Sequence, residues 1–421
     1  MNIPKPIRYL FRSRDKPVNS IGGGMSFMFG GTSAGQYVNE RTAMQSAAVY
    51  ACVKILSESI ASLPLHVYRN KPDGDRIRAP DHPLYRLLHD APNDEMSSFT
   101  FRETLMTHLL LYGNGFAQII RNGRGYVTAL YPLLPNRMEV SRASNGELIY
   151  TYTPDWDEAK GRGVATVSLR KEDVLHVTGL SLDGIMGIAP IQIAKNAIGT
   201  ELAVEDYGAQ FFANDARPSG VLEYAKPIRD AEPLRQSWQA QFSGKGKHSI
   251  AVLADGLQYK PISIPPEQAQ FLETRKFQLN EIARIFRIPP SMIGDMERAT
   301  FSNAEQMSLD FVKYTLTPWI ARWEQALQQR LILSGERDDI FIRFNVEGLL
   351  RGSYKERMEG YAVARQNGWM SANDIRVLEN MNRIPKEEGG DLYIINGSTT
   401  KLQDAGAFAH KGNNETEGSS E

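Results

Sequence analysis

PPEQAQFLETRKFQLNEIARIFR (residues 265–287), IPPSMIGDMERATF (288–301) and SNAEQMSLDFVKYTLTPWIARWEQALQQRLIL (302–333) follow one another directly and read as helix, tight loop, long helix. Pro265 and Pro266 suit a helix start, and Glu267 places negative charge in the first turn. Leu272, Leu279, Ile282, Ala283 and Phe286 recur at helical spacing and form one apolar stripe, while charged and amide side chains take the other faces. Pro289-Pro290 is expected to stop this helix, because proline cannot continue the hydrogen-bond ladder. Ser302-Asn-Ala-Glu305 has the pattern of a capping box and predicts the start of the next helix. Met307, Phe311, Leu316, Trp319, Ile320, Trp323 and Leu327 carry the apolar side of that helix to about Leu333. Pro318 stands inside it and is expected to kink it, since the carbonyl of Tyr314 loses its usual N–H partner.

The rest of the 421-residue chain offers ordinary material for two or three domains of a soluble α+β protein. Its net charge of −1 sets up no global basic field that would hold nucleic acid. The single cysteine, Cys52, excludes an internal disulfide framework, fits a reducing cytoplasm, and falls at an apolar helix position as a buried thiol would. No apolar run approaches the length of a membrane span, and the basic segment 1–16 lacks the apolar region of a signal peptide.

Residues 1–40 carry a basic arm (Lys5, Arg8, Arg12, Arg14, Lys16) and a glycine-rich stretch with no periodicity. The arm reads either as a solvated tail or as a contact for nucleic acid or an acidic partner. The glycines do not build a phosphate loop, because Phe27 stands where the last glycine of a GxGxxG would be. Residues 41–62 predict one amphipathic helix and Leu63–Arg69 a strand; helices follow over 83–89 and 98–111. Short strands are expected at 116–121, 126–131, 137–141, 148–153, 165–169 and 174–177, with Asn122-Gly123 and Asn145-Gly146 as hairpin signals.

Residues 190–212 predict a helix opened by Pro190. A small β-α-β-β block follows, with strands at 219–224, 249–253 and 258–264 and a helix at 230–242. Its loop Ser243–His248 contains Lys245 and Lys247 and is a poor phosphate loop, since no hydroxyl follows lysine in the right frame. A strand at 340–345 precedes a helical pair, 353–367 and 371–380. That pair could pass for a helix-turn-helix, but Glu356, Glu359, Asp374 and Glu379 would oppose phosphate. The polar, acidic segment 396–421 is expected to lack order.

Catalytic chemistry is not signalled. The seven histidines are scattered without HExxH spacing, there is no GxSxG elbow, and no carboxylate pair is isolated in apolar surroundings. The expectation is no catalytic residue, no cofactor and no metal. Two rivals remain in view. One is a ring-forming DNA-processing enzyme with Asp and Glu on a metal, whose sign is metal-dependent cleavage. The other is an inert structural adaptor without a channel, which end-on imaging separates.

Residues 279–331, from LNEIARIF to ALQQRL, resemble the core signature of portal proteins of tailed double-stranded-DNA phages, in the compact lambdoid siphophage branch. AVYACVKILSESIASLPLHVYR (48–69), HPLYRLLHDAPNDEMSSFTFRETLMTHLLLYGNGFAQIIR (82–121) and RIPKEEGGD (383–391) extend the likeness in order over most of residues 41–395. The resemblance implies a dodecameric ring with an axial DNA channel at one vertex of the virion capsid, assembled in the host cytoplasm. It divides the chain into a wing (41–189), a descending stem helix (190–213), a clip (214–264) and an ascending stem helix (265–287). A tunnel loop (288–301), a kinked wing helix with its strand (302–348), a crown (349–395) and a tail (396–421) complete it. Asp295, Met296, Glu297, Arg298 and Thr300 would face the channel, and Lys245 and Lys247 would meet the motor or DNA at the clip. Expected partners are further copies of the chain, double-stranded DNA, the large terminase, the major capsid protein and a head–tail adaptor, with no membrane.

Overall fold

A computed structural model of the chain describes residues 21, 31–71, 76–154, 165–213, 220–223, 232–233, 236, 258–261, 268–295, 301–346, 354–379 and 381–394. The chain divides into two compact units, Met1–Val346 and Glu347–Glu421. The first runs α1 (Glu40–Ala43), α2 (Ala47–Ser62), β1 (Leu65–Asn70), β2 (Arg76–Arg78), α3 (Pro83–His89), α4 (Ser98–Tyr112), β3 (Asn114–Arg121) and β4 (Val127–Leu133). It continues with β5 (Met138–Arg142), β6 (Leu148–Tyr152), β7 (Val167–Arg170), β8 (Val174–Thr178), α5 (Pro190–Ile193), α6 (Lys195–Ala213), β9 (Gly220–Glu223) and β10 (Gln258–Pro261). It ends with α7 (Gln268–Phe286), α8 (Phe301–Asp310), a π-helical stretch (Phe311–Leu316), α9 (Thr317–Leu331) and β11 (Ile340–Phe344). The second unit holds α10 (Tyr354–Gln366) and α11 (Ala372–Leu378).

The fold is α+β. The described strands form three-stranded sheets in the orders β11-β1-β2, β4-β3-β8 and β5-β6-β7, plus the pair β10-β9, all antiparallel. Short hairpin connections join β1 to β2, β3 to β4 and β5 to β6, whereas β8 returns to pair with β3, β10 with β9, and β11 comes back across most of the chain to β1, Leu65 opposite Phe344. Helix α2 packs along α4, and Leu56, Ile60, Leu105, Met106 and Leu109 are fully buried. Phe116, Leu133, Met138, Tyr150 and Val174 make a second apolar cluster where the two sheets of strands β3–β8 meet.

Local chemistry accounts for most helix ends. Ser46 and Ser97 accept from the N–H groups of Val49 and Thr100, and His82 does the same for Leu84. Helix α4 stops at Gly113, whose φ of 77° suits glycine. Arg102 is buried and donates to two helix ends at once, to the carbonyl of Ala61 (2.7 Å) and that of Leu88 (3.0 Å). Burial pushes its guanidinium down to about 10, still charged at neutral pH.

Several expectations change. The helix anticipated over 41–62 is two helices, because Ser46 turns away as the cap of α2. The 190–212 helix is likewise interrupted at Ala194. Neither hairpin uses a two-residue Asn-Gly turn. Asn122 pairs with Tyr126 around a longer loop whose left-handed residue is Gly125 (φ 84°), and Ala143 pairs with Glu147 with Gly146 at φ 89°. Loop length thus decides which glycine takes positive φ. Strand β2 was not anticipated, and α8 starts at Phe301, ahead of the expected cap at Ser302. Within the β-α-β-β block, only β9, β10 and helical residues 232, 233 and 236 are described; the rest of that expectation lies outside the described residues.

The backbone crossing at Gly113, Gly179 and Gly187 is the tightest glycine requirement. A Cβ on Gly187 would collide with the carbonyl oxygen of Gly113 and lie 2.9 Å from the nitrogen of Gly179. Gly187→Ala is expected to destabilise the chain by about 2–3 kcal/mol. Gly123→Ala, with nothing within 4 Å, is expected to stay within about 0.5 kcal/mol. Urea midpoints of the two variants check the contrast.

Candidate functional site

The loop between α7 and α8 is held at its first end by an unusual helix stop. Arg287 takes φ 57°, its N–H donates to Arg284 O (3.1 Å), and the N–H of Ile288 donates to Ala283 O (2.9 Å). This is the Schellman pattern with arginine where glycine is usual. The helix therefore stops before Pro289-Pro290 and not because of them. A left-handed arginine costs about 1 kcal/mol. Two features hold it there: Thr315 Oγ1 donates to Arg287 O at 2.5 Å, and Ile288 is buried. A single 3-10 turn, Pro290–Ile293, follows and closes at Gly294 with φ 101°.

Of the five residues assigned to the channel-facing loop, Asp295 is described. Its N–H donates to Pro290 O (3.0 Å), and its Oδ2 accepts from Asn280 Nδ2 of α7 (3.1 Å). Met296, Glu297, Arg298 and Thr300 lie outside the described residues, as do Lys245 and Lys247.

On the far side, the α-helical ladder of α8 gives way to the π stretch and resumes as α9. The N–H of Thr317 donates to Val312 O, five residues back, and its Oγ1 reaches the same oxygen at 2.9 Å. Pro318 then occupies the first turn of α9, where a missing N–H breaks no bond of the new segment. A proline that would orphan a carbonyl in a continuous α-helix is accommodated by a change of register just before it.

Between these helices lies an apolar cavity of about 260 Å³, lined among others by Leu56, Leu110, Ile188, Phe286, Pro318 and Trp319. At its rim the loop after β8 is tightly bonded. Asp183 Oδ1 accepts from the N–H groups of Ile185 (2.7 Å) and Met186 (2.8 Å), and Arg322 donates to Gly179 O (2.6 Å). Asn114 Oδ1 accepts from Gly187 N (2.8 Å) and faces His176 Nε2 (3.0 Å). These anchors, with Arg287, Asn280 and Thr315, escaped sequence reasoning. The one hint was Thr315, a β-branched hydroxyl residue three before a proline in a helix.

The buried and half-buried titratable groups are structural. Burial, then Arg330, pushes His176 down to about 3, so its neutral ring shares hydrogens with Tyr150, Asn114 and Thr178. Burial, then Glu201, pushes the Cys52 thiol up to about 12, which leaves it unreactive. Glu201 is raised by burial and accepts from Ser46 Oγ. Among the described residues no group of three His, Cys, Asp or Glu is placed to hold a metal, and no helix is long and apolar enough to cross a membrane. Among the described residues the arrangement fixes backbone positions.

Residues 47–380 match the family model described as phage portal protein. The chain is 30% identical over 383 residues to the portal protein of Enterobacteria phage HK97, covering 90% of this chain and 88% of that one. It is 34% identical over 375 residues to the probable portal protein of Streptomyces phage phiC31, covering 86% and 80%. Among solved structures it is similar to a chain of the neck of an empty gene transfer agent particle computed with C6 symmetry (TM-score 0.58, 24% identity, 81% and 92% covered). A phage portal protein of the HK97 family from Corynebacterium diphtheriae shares the fold (TM-score 0.54, 16% identity, 73% and 95% covered). The chain belongs to the phage portal protein family, and its fold is the α+β portal fold.

Two outcomes test this geometry. Arg287→Gly is expected to stabilise the chain by up to about 1 kcal/mol, whereas Arg287→Val is expected to cost more than 1 kcal/mol, roughly, as a β-branched residue at positive φ; thermal unfolding of both variants separates them. His176 stays neutral in the folded chain down to about pH 3, while an unfolded histidine takes a proton below about 6.5. Stability should therefore fall as pH drops below about 6.5, by up to about 1.4 kcal/mol per pH unit for this one group. His176→Gln should lose about 2 kcal/mol less than the parent between pH 7 and pH 5, read from urea unfolding at the two values.

Proposed function

We propose that this chain assembles into the portal ring of a tailed double-stranded-DNA phage. The ring admits DNA into the head during packaging, retains it and releases it through the tail. The observation that carries this reading is the family match from 47 to 380, spread over both units. Solved chains of similar fold come from gene transfer agent necks computed with C6 and C12 symmetry, which supports a closed ring and favours twelve copies. In this reading the ring sits in the virion at one capsid vertex, after assembly in the host cytoplasm.

The chain itself carries no chemistry in this reading. ATP hydrolysis belongs to a large terminase that docks on the clip, 214–264, where Lys245 and Lys247 meet the motor or DNA phosphates. The major capsid protein surrounds the wing, and a head–tail adaptor later takes the motor's place. Helices α6 and α7 serve as the stem, Pro318 bends the long helix, and the loop 288–301 narrows the channel. The anchoring of the loop's first part, at Arg287 and Asp295, supports that role, because a constriction must keep its position while DNA slides past.

End-on electron microscopy of the purified protein is expected to show closed rings with a central hole. Monomers, or solid discs, would overturn the reading, and metal-dependent DNA cleavage would favour the nuclease alternative. For the loop, Glu297→Arg is the cleaner substitution, since Asp295 also bonds Asn280. It is expected to leave rings intact and slow DNA packaging severalfold at low salt, with the difference shrinking as salt screens the added charge. Packaging at the parental rate would remove the loop from the channel.

A further inference from the structure

The described residues of the second unit bury few apolar side chains. Across residues 357–379 and 381–394, Ala364 is the one apolar side chain that is buried, and the other buried residues are Ser371, Asn373 and Gly390. Seven of its large apolar side chains stand in solvent: Trp369 at 72%, Tyr393 at 62%, Leu392 at 61% and Met381 at 55% exposure, with Val363, Val377 and Ile394 each near half. Polar bonds set its shape instead. Asn373 Nδ2 donates to Ile384 O (2.9 Å) and Asp391 Oδ1 (2.6 Å), and its Oδ1 accepts from Ile384 N (2.7 Å). Arg357 Nε and Tyr361 Oη both donate to Glu379 (2.8 and 2.9 Å), and Arg365 holds Leu392 O at 2.5 Å. Segments this small rarely stand without a disulfide, a metal or a partner. Cys52, the one cysteine, lies in the first unit, and no metal-holding group exists among the described residues.

We infer that the second unit completes its core against the same unit of neighbouring copies, with Trp369 and the Leu392–Ile394 run as the contact. This rests on the ring reading, and it names the partner surface. The exposed apolar area of the seven side chains is roughly 700 Å², which a ring divides between two neighbours as the apolar centre of each contact, below the ~800 Å² that one partner contributes to a full standard interface. A closed ring gives every copy two identical neighbours and therefore a repeated contact at this unit. Charge permits it: residues 354–394 carry six Lys or Arg and seven Asp or Glu, so identical copies repel little. The same balance disfavours DNA, which a basic surface would hold. A buried Asn373 network fits this role, because satisfied polar bonds specify one arrangement before any apolar contact forms.

Photo-crosslinking of assembled full-length protein tests it. Trp369 is replaced by p-benzoylphenylalanine in a mixture of isotopically light and heavy chains, and adducts are mapped by mass spectrometry. The expected result is a mixed-isotope adduct within 354–394. Adducts to residues 1–346, or adducts confined to one chain, would overturn the inference. Hydrogen exchange of the unsubstituted protein is the second readout: amides of 363–379 should exchange at least tenfold more slowly in rings than in dissociated subunits, and equal rates would overturn it. Electron microscopy of the same sample keeps the two readings apart. Absence of rings refutes the ring reading itself, whereas rings with adducts elsewhere refute only this contact.

Discussion

A strand at the edge of a sheet carries N–H and C=O groups that need partners, and in the first unit one helix supplies them on two sides. On α9, Gln328 accepts from Ile342 N and donates to Ile340 O, both at 3.0 Å, and Glu324 accepts from Phe344 N at 2.9 Å. Those bonds close the outer edge of β11. One turn earlier, Arg322 donates to the carbonyls of Thr178 and Gly179 at the end of β8. Trp323, Leu327 and Leu331 on the same helix are buried. Helix α9 is thus an apolar wedge whose polar side chains join the β11-β1-β2 sheet to the β4-β3-β8 sheet. The strand β11 must travel back to β1 before this can happen, so the pairing carries a larger closure entropy than the local hairpins.

That dependence explains what could be read in advance. The strands from 114 to 178 alternate over short distances, and the serine caps at 46, 97 and 371 act within three residues, although Ser97 was not singled out and Ser46 went unrecognised inside an apolar pattern that continued across it. Periodicity located α7, α9 and the long loop between α7 and α8. It had no means to find Arg287 in the left-handed region, because that conformation is paid for by Thr315, twenty-eight residues away. Nor could it pair β1 with β11, or show that Asn114 and Gly187 share bonds across seventy-three residues. The proline at 318 was legible as a difficulty. Its solution, a π stretch ahead of it, depends on the tertiary contacts of Phe311, Val312 and Leu316, all buried.

The candidate site shows the same division. Its apolar anchors were visible as a helical stripe, while the bonds that aim the loop are local polar accidents of the fold: Asn280 to Asp295, and Thr315 to Arg287. Both attach the loop to flanking helices whose inner faces are buried through Ile282, Ala283, Phe286 and Leu316. The described part of the loop, up to Asp295, is therefore fastened to helices whose positions the core already fixes.

In a ring, every charge on such a loop recurs once per copy. A single unpaired arginine would become a belt of cations, and each phosphate it neutralised would add affinity through counterion release. DNA held that tightly could not slide. Asp295, Glu297 and Arg298 leave the loop near balance, and the whole chain carries a net charge of −1. The opposite error is also avoided, since a strongly acidic belt would resist the entering duplex. Near-neutrality in the portal reading is therefore a kinetic requirement on the channel, and the geometry of the loop has to come from hydrogen bonds to its own chain. In that reading, attraction to DNA could not supply it without stopping the DNA that has to slide.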